Sequence, residues 1–103
     1  MRTIEELRSD AETAFEEDEW SDIEDIVLEA LGHLSSFCRD EDQVWDSDDV
    51  KDLCHDIGDG IYDKWGFREM QAVHNTVYCV MGGVAARTLE YFWNGCGDGA
   101  WRA

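Results

Sequence analysis

The chain has 103 residues, no proline, and 25 Asp and Glu against 8 Lys and Arg, for a net charge of −17. The length suits one domain, residues 1–103, and 44% hydrophobic content supplies a core, which excludes a disordered chain. The negative charge excludes direct binding of nucleic acid or an anionic membrane surface, and the polar sequence after Met1 has no signal-peptide pattern, so a cytoplasmic location is expected.

The imbalance is uneven. Residues 1–65 hold 22 of the acids and carry the whole −17, while residues 66–103 are neutral. Self-repulsion of this size opposes compaction. A positively charged partner would offset it.

Four helical segments are predicted in chain order. The first starts at Thr3, whose spacing to Glu6 makes a capping box. Ile4, Leu7, Ala11, Ala14 and Phe15 share one arc, with Glu5, Glu6, Asp10, Glu12, Glu16 and Glu17 opposite. The second starts at Ser21, with Glu24 completing another capping box, and its apolar face runs from Ile23 through Ile26, Val27, Ala30 and Leu31 to Phe37 and Cys38. The third starts near Asp46 or Ser47. Val50, Leu53, Cys54, Ile57 and Ile61 line one side, and Asp49, Asp52, Asp56, Asp59 and Asp63 line its back. Gly58 and Gly60 put its last turn in doubt.

The fourth segment, Phe67 to Trp93, has a broad apolar stripe: Phe67, Met70, Val73, Val77, Val80, Met81, Val84, Thr88, Tyr91 and Phe92. Unbroken, it would be about 40 Å long. It either breaks at Gly82–Gly83 or projects to pair with another chain, which leaves a homodimer open. Its uncharged stretch from Met70 to Ala86 contains polar residues and reads as a buried helix, not a membrane span. The tail, about 94–103, is glycine-rich and expected to be flexible, with Trp101 tucked back. The expected fold is all-α: a small four-helix bundle with three acidic amphipathic helices around a long C-terminal hydrophobic helix.

No hydrolase elbow, phosphate loop or dinucleotide fingerprint occurs, so no catalytic residue and no cofactor are expected. Calcium loops beginning at Asp40 or Asp46 fail at the fifth and sixth positions, where Val44–Trp45 and Val50–Lys51 stand. A zinc set of His33, Cys38, Cys54 and His55 matches no common spacing, and Cys54 and His55 point about 100° apart on a helix, so no metal is expected. Cys38, Cys54 and Cys79 fall on apolar faces, as buried structural cysteines do. His74 reads as a hydrogen-bonded core histidine.

The acidic stripes remain. Carboxylates four residues apart on a helix are about 6 Å apart along the axis, comparable with the spacing of backbone phosphates. Trp20 and Trp45 sit beside the densest acidic runs, as interface anchors or as seals on the ends of the bundle. The expected partner-binding residues are Glu16, Glu17, Asp18, Glu19, Trp20 and Asp22, together with Asp40, Glu41, Asp42, Trp45, Asp46, Asp48 and Asp49.

In length, acidity, helical content and lack of catalytic motifs, the chain resembles the small acidic phage-encoded inhibitors of host defence, among them anti-CRISPR proteins and DNA mimics. The resemblance is one of composition. It implies a stoichiometric, non-enzymatic inhibitor that occupies the basic DNA- or guide-binding channel of a CRISPR effector, restriction enzyme or other nuclease. Two alternatives use the same features: an ordinary small helical protein with a halophilic surface, and an antitoxin or adaptor that neutralises a basic protein.

Overall fold

The computed structural model describes residues 1–37 and 48–101. It is all-α: α1 (Ile4–Glu16), α2 (Trp20–Gly32), α3 (Asp48–Lys64), α4 (Phe67–Met81), α5 (Gly83–Trp93) and a short C-terminal turn, α6 (Cys96–Gly99). Among the described residues there is no strand, and no helix is long and apolar enough to cross a membrane. α2 ends at Gly32, short of the expected Cys38, and Cys38 and Asp46 themselves lie outside the described residues.

α1 begins with the capping box read from the sequence. Glu6 N–H donates to Thr3 Oγ1 (3.1 Å) and Thr3 N–H to Glu6 Oε1 (3.3 Å), which satisfies two of the backbone donors orphaned at a helix start. Leu7, Ala11 and Ala14 are buried, as the periodicity requires. α2 folds back on α1, and Arg2 clamps the pair. Its backbone N–H donates to Glu29 Oε1 (3.1 Å), and its guanidinium binds both Glu29 and Asp10. Hydrogen bonds from Arg2 hold the Glu29 carboxyl below the usual carboxylate range.

The second capping box does not form. α2 starts two residues early, with Glu19 in the N-cap position instead of Ser21, Trp20 as its first residue and no side-chain cap. Ser21 is thereby inside the helix. The Glu24 carboxylate is used elsewhere, accepting from Thr76 Oγ1 (2.6 Å) and tying α2 to α4.

α3 packs against every other helix and is the hub of the bundle. It runs unbroken through Gly58 and Gly60, contrary to the doubt these residues raised. Both are needed where a neighbour comes close. A Cβ on Gly58 would lie 2.7 Å from Trp93 Nε1, and one on Gly60 would lie 2.7 Å from the Phe15 ring. Packing against Trp93 and Phe15 offsets the roughly 1 kcal/mol propensity cost of each helical glycine.

The fourth predicted segment is two helices, the first of the two alternatives it allowed. Gly82 adopts φ 97° and ψ 174°, a conformation that is nearly glycine-only. α5 then returns along α4, so that His74 faces Glu90 and Phe67 meets Trp101. The break resets the helical phase. A stripe drawn straight through it misplaces Val84, which is 41% exposed, while Ala85, Leu89 and Trp93 are buried instead; Val80, in the last turn of α4 before the break, is 65% exposed. Cys79 is exposed, a correction to its expected burial: at 100° per residue it stands on the side of α4 opposite the buried Met70 and Val77. His74 Nε2 lies 3.2 Å from Glu90 Oε1 but outside hydrogen-bond geometry, so this nitrogen does not make the hydrogen bond expected of a core histidine.

The C-terminal stretch is irregular, with Gly95, Gly97, Asp98 and Gly99 at positive φ, and it packs on α3. Cys96 and Gly97 are buried against α3, Gly97 N–H donates to Asp59 Oδ1 (2.8 Å), and the Cys96 thiol donates to the His55 carbonyl (3.3 Å). Trp101 is tucked back as expected, 6% exposed and edge-on to Trp93 with centroids 5.1 Å apart. Trp93 in turn donates from Nε1 to the Cys54 carbonyl (2.8 Å).

Candidate functional site

The acids sort themselves by helix register. Arg8 Nη1 meets Asp56 Oδ2 (2.7 Å), Phe15 lies over Gly60, and Asp18 Oδ1 meets Lys64 Nζ (2.9 Å). Advancing along α1 therefore advances along α3, and the two helices run parallel, side by side. Between them is a shallow groove of about 170 Å³, floored by Ala11, Phe15, Leu53 and Ile57 and rimmed by Arg8, Glu12 and Asp56.

Both flanks of this groove are acidic. On α3, Asp49, Asp52, Asp56 and Asp63 are exposed, with Asp59 half-buried beside them. Steps of three and four residues keep them on one ridge about 21 Å long. On α1, Glu5, Glu12 and Glu16 form a second exposed row. Helix axes in such packing are about 8–10 Å apart, so the rows run alongside one another at that separation or slightly more. Arg8, paired to Asp56, is seated between them, and Lys64 stands at the far end beside Glu16 and Asp63.

The expected binding residues fall at both ends of this face. Glu16, Glu17, Asp18 and Glu19 form the α1–α2 turn, all exposed, with Asp18 in a left-handed conformation (φ 56°) that Asp tolerates better than most residues. Asp22 follows, exposed in the first turn of α2. Asp48 and Asp49 are exposed in the first turn of α3, where the helix dipole favours them. Lys64, the partner of Asp18, is at the other end of α3, about 24 Å from Asp48 along the axis. The two groups are separate poles joined by the Asp ridge. Asp40, Glu41, Asp42, Trp45 and Asp46 lie outside the described residues.

Trp20 is half-buried, edge-on to Trp65 (centroids 5.0 Å, 81°), and Phe15 packs on the same ring (5.6 Å). These three rings seal the end of the bundle below the acidic turn. The central Asp ridge was visible in the periodicity of α3. Its pairing with the Glu row of α1 was not, because nothing local fixes which helices are neighbours.

The set of His33, Cys38, Cys54 and His55, set aside on its spacing, is not brought together among the described residues. The ring Nε2 of His33 lies 2.7 Å from the Arg2 carbonyl oxygen, at the end of α2, and Cys38 lies outside the described residues. Cys54 is buried in the core, where the loss of solvent pushes its thiol up to about 12. Among the described residues a different group comes together: His55, Asp59 and Cys96, each offering one donor atom, all within 4.8 Å of one another.

No protein-family model, curated protein or solved structure matches the chain.

Proposed function

We propose that the chain is a non-enzymatic, stoichiometric inhibitor whose acidic α1/α3 face docks on the basic nucleic-acid-binding surface of another protein. The compositional resemblance points to a cytoplasmic effector of host defence, a CRISPR nuclease or a comparable enzyme, with the acidic rows standing in for phosphates. The observation that carries this reading is the pair of parallel carboxylate rows, Asp49–Asp52–Asp56–Asp63 beside Glu5–Glu12–Glu16, with one arginine between them.

The chemistry suits an arginine-lined groove. Arginine takes carboxylates bidentately, as it takes phosphates. Partner guanidinium groups would relieve repulsion that the free protein bears, and the long-range field would speed encounter. The apolar groove floor offers a place for an aliphatic stem between the charged rows.

The test uses a captured partner and its own nucleic acid as competitor. Asp49→Lys with Asp52→Lys and Asp63→Lys is expected to weaken binding by at least ~100-fold, as several close charge pairs do. An equal change of net charge away from the face, Glu6→Lys with Asp25→Lys and Asp98→Lys, is expected to cost less than ~10-fold. Equal losses would reduce the face to net charge alone. Binding of chain and nucleic acid to the partner at the same time would refute the mimicry.

A further inference from the structure

We propose that His55, Asp59 and Cys96 form a site for a thiophilic divalent cation, Zn²⁺ by the chemistry of its donors, which pins the C-terminal turn to α3. The proposal does not depend on the acidic-face reading.

An imidazole, a carboxylate and a thiol are the donor types zinc takes, and soft sulfur disfavours Mg²⁺ and Ca²⁺. His55 and Asp59 are one helical turn apart, with Nδ1 3.5 Å from Oδ2. Cys96 arrives from the other side of the chain, its thiol seated over the carbonyl of His55.

The distances fit. Zinc bonds of about 2.0–2.3 Å put tetrahedral ligand atoms roughly 3.3–3.8 Å apart. The His55–Asp59 edge already has that length. Since no pair of the three donor atoms exceeds 4.8 Å, one point lies within ~2.8 Å of all of them, and small side-chain rotations close the remainder.

The orientation of Asp59 is also set. Gly97 N–H holds Oδ1 at 2.8 Å and leaves Oδ2 toward His55, the kind of backbone support that orients metal-binding carboxylates. On uptake the Cys96 S–H bond is lost, its proton goes to solvent, and the thiolate sulfur bonds the ion. Three protein donors leave a fourth position for water or for a group from another molecule.

The full-length reduced chain, freed of metal by chelator, is titrated with Co²⁺ and then Zn²⁺ in high salt, which screens loose association with surface acids. One ion per chain, a thiolate-to-cobalt charge-transfer band, and displacement by Zn²⁺ are expected. Zinc at a hundredfold excess over its Kd should raise Tm by on the order of 10 °C. His55→Ala, at a half-exposed position the fold does not require, should weaken uptake at least ~10-fold, and Cys96→Ser should abolish the band. Binding of several ions per chain, uptake unchanged in His55→Ala, or cobalt spectra with no sulfur band would each overturn the site.

Discussion

Replacing Gly58 by alanine places a methyl group where three heavy atoms already sit: Trp93 Nε1 at 2.7 Å, Trp93 Cδ1 at 2.8 Å and Cys96 Sγ at 3.0 Å. In an exposed helix the change would stabilise by about 1 kcal/mol through propensity. Here Trp93 cannot retreat cheaply. It is fully buried, its Nε1–H is committed to the Cys54 carbonyl, and Trp101 stands edge-on behind it. Overpacking a filled site costs about 1–3 kcal/mol, and a swing of the indole loses a buried hydrogen bond worth about 1 kcal/mol. Against the propensity gain, the net is a destabilisation of roughly 1–3 kcal/mol. For a domain of this size that lowers Tm by roughly 5–20 °C. Thermal unfolding followed by circular dichroism reads it directly. Gly83→Ala is the companion, since its Cβ would meet only Tyr78 at 3.4 Å, at the exposed start of α5; it should leave Tm unchanged or raise it. A Gly58→Ala protein as stable as wild type would refute the packing of α5 and the C-terminal turn on α3.

Two further expectations follow from single contacts. Trp20→Ala removes a half-buried ring from Trp65 and should destabilise by about 1–3 kcal/mol in chemical denaturation; a stability equal to wild type, with binding alone impaired, would make Trp20 a partner anchor instead. Glu29 is held ionised by Arg2, so its contribution is present above the unfolded-state value near 4.3 and is lost as pH falls below it toward the lower folded value. Glu29→Gln should therefore be less stable than wild type at neutral pH, and the gap should narrow on acidification through that window; a gap that stays constant would show the clamp does not depend on this charge.

Where the fold is legible in the sequence, local chemistry decides it. Thr3 and Glu6 cap α1 because both partners lie within one turn, and the Asp ridge of α3 follows from three- and four-residue spacing. Where the reading fails, a distant residue decides. Ser21 and Glu24 have capping-box spacing, yet Thr76, 52 residues away, takes Glu24. Gly58 and Gly60 look like helix breakers until Trp93 and Phe15 are placed over them. The apolar stripe of residues 67–93 loses its phase at Gly82, whose backbone angles no periodicity reports. Cys96 looked like part of a loose tail because its partners, His55 and Asp59, belong to another helix.

The candidate site divides the same way. Each acidic row could be read from its own helix, and the poles at Glu16–Asp22 and Asp48–Asp49 were visible as dense runs. The parallel course of α1 and α3, which makes one face of two rows, depends on Arg8–Asp56 and Asp18–Lys64 contacts between residues about 46–48 positions apart in the chain.

The acidic α1/α3 face is proposed to bind through charge. The most direct measurement is the affinity of the chain for its captured basic partner as salt is raised. Binding by charge gives a steep, continuous loss of at least ~100-fold between low and roughly half-molar salt, mostly removed in the Asp49, Asp52 and Asp63 triple reversal. Affinity unchanged across that range would contradict it. So would a chain with no partner at low salt that keeps gaining stability into molar KCl, which is the behaviour of a halophilic surface.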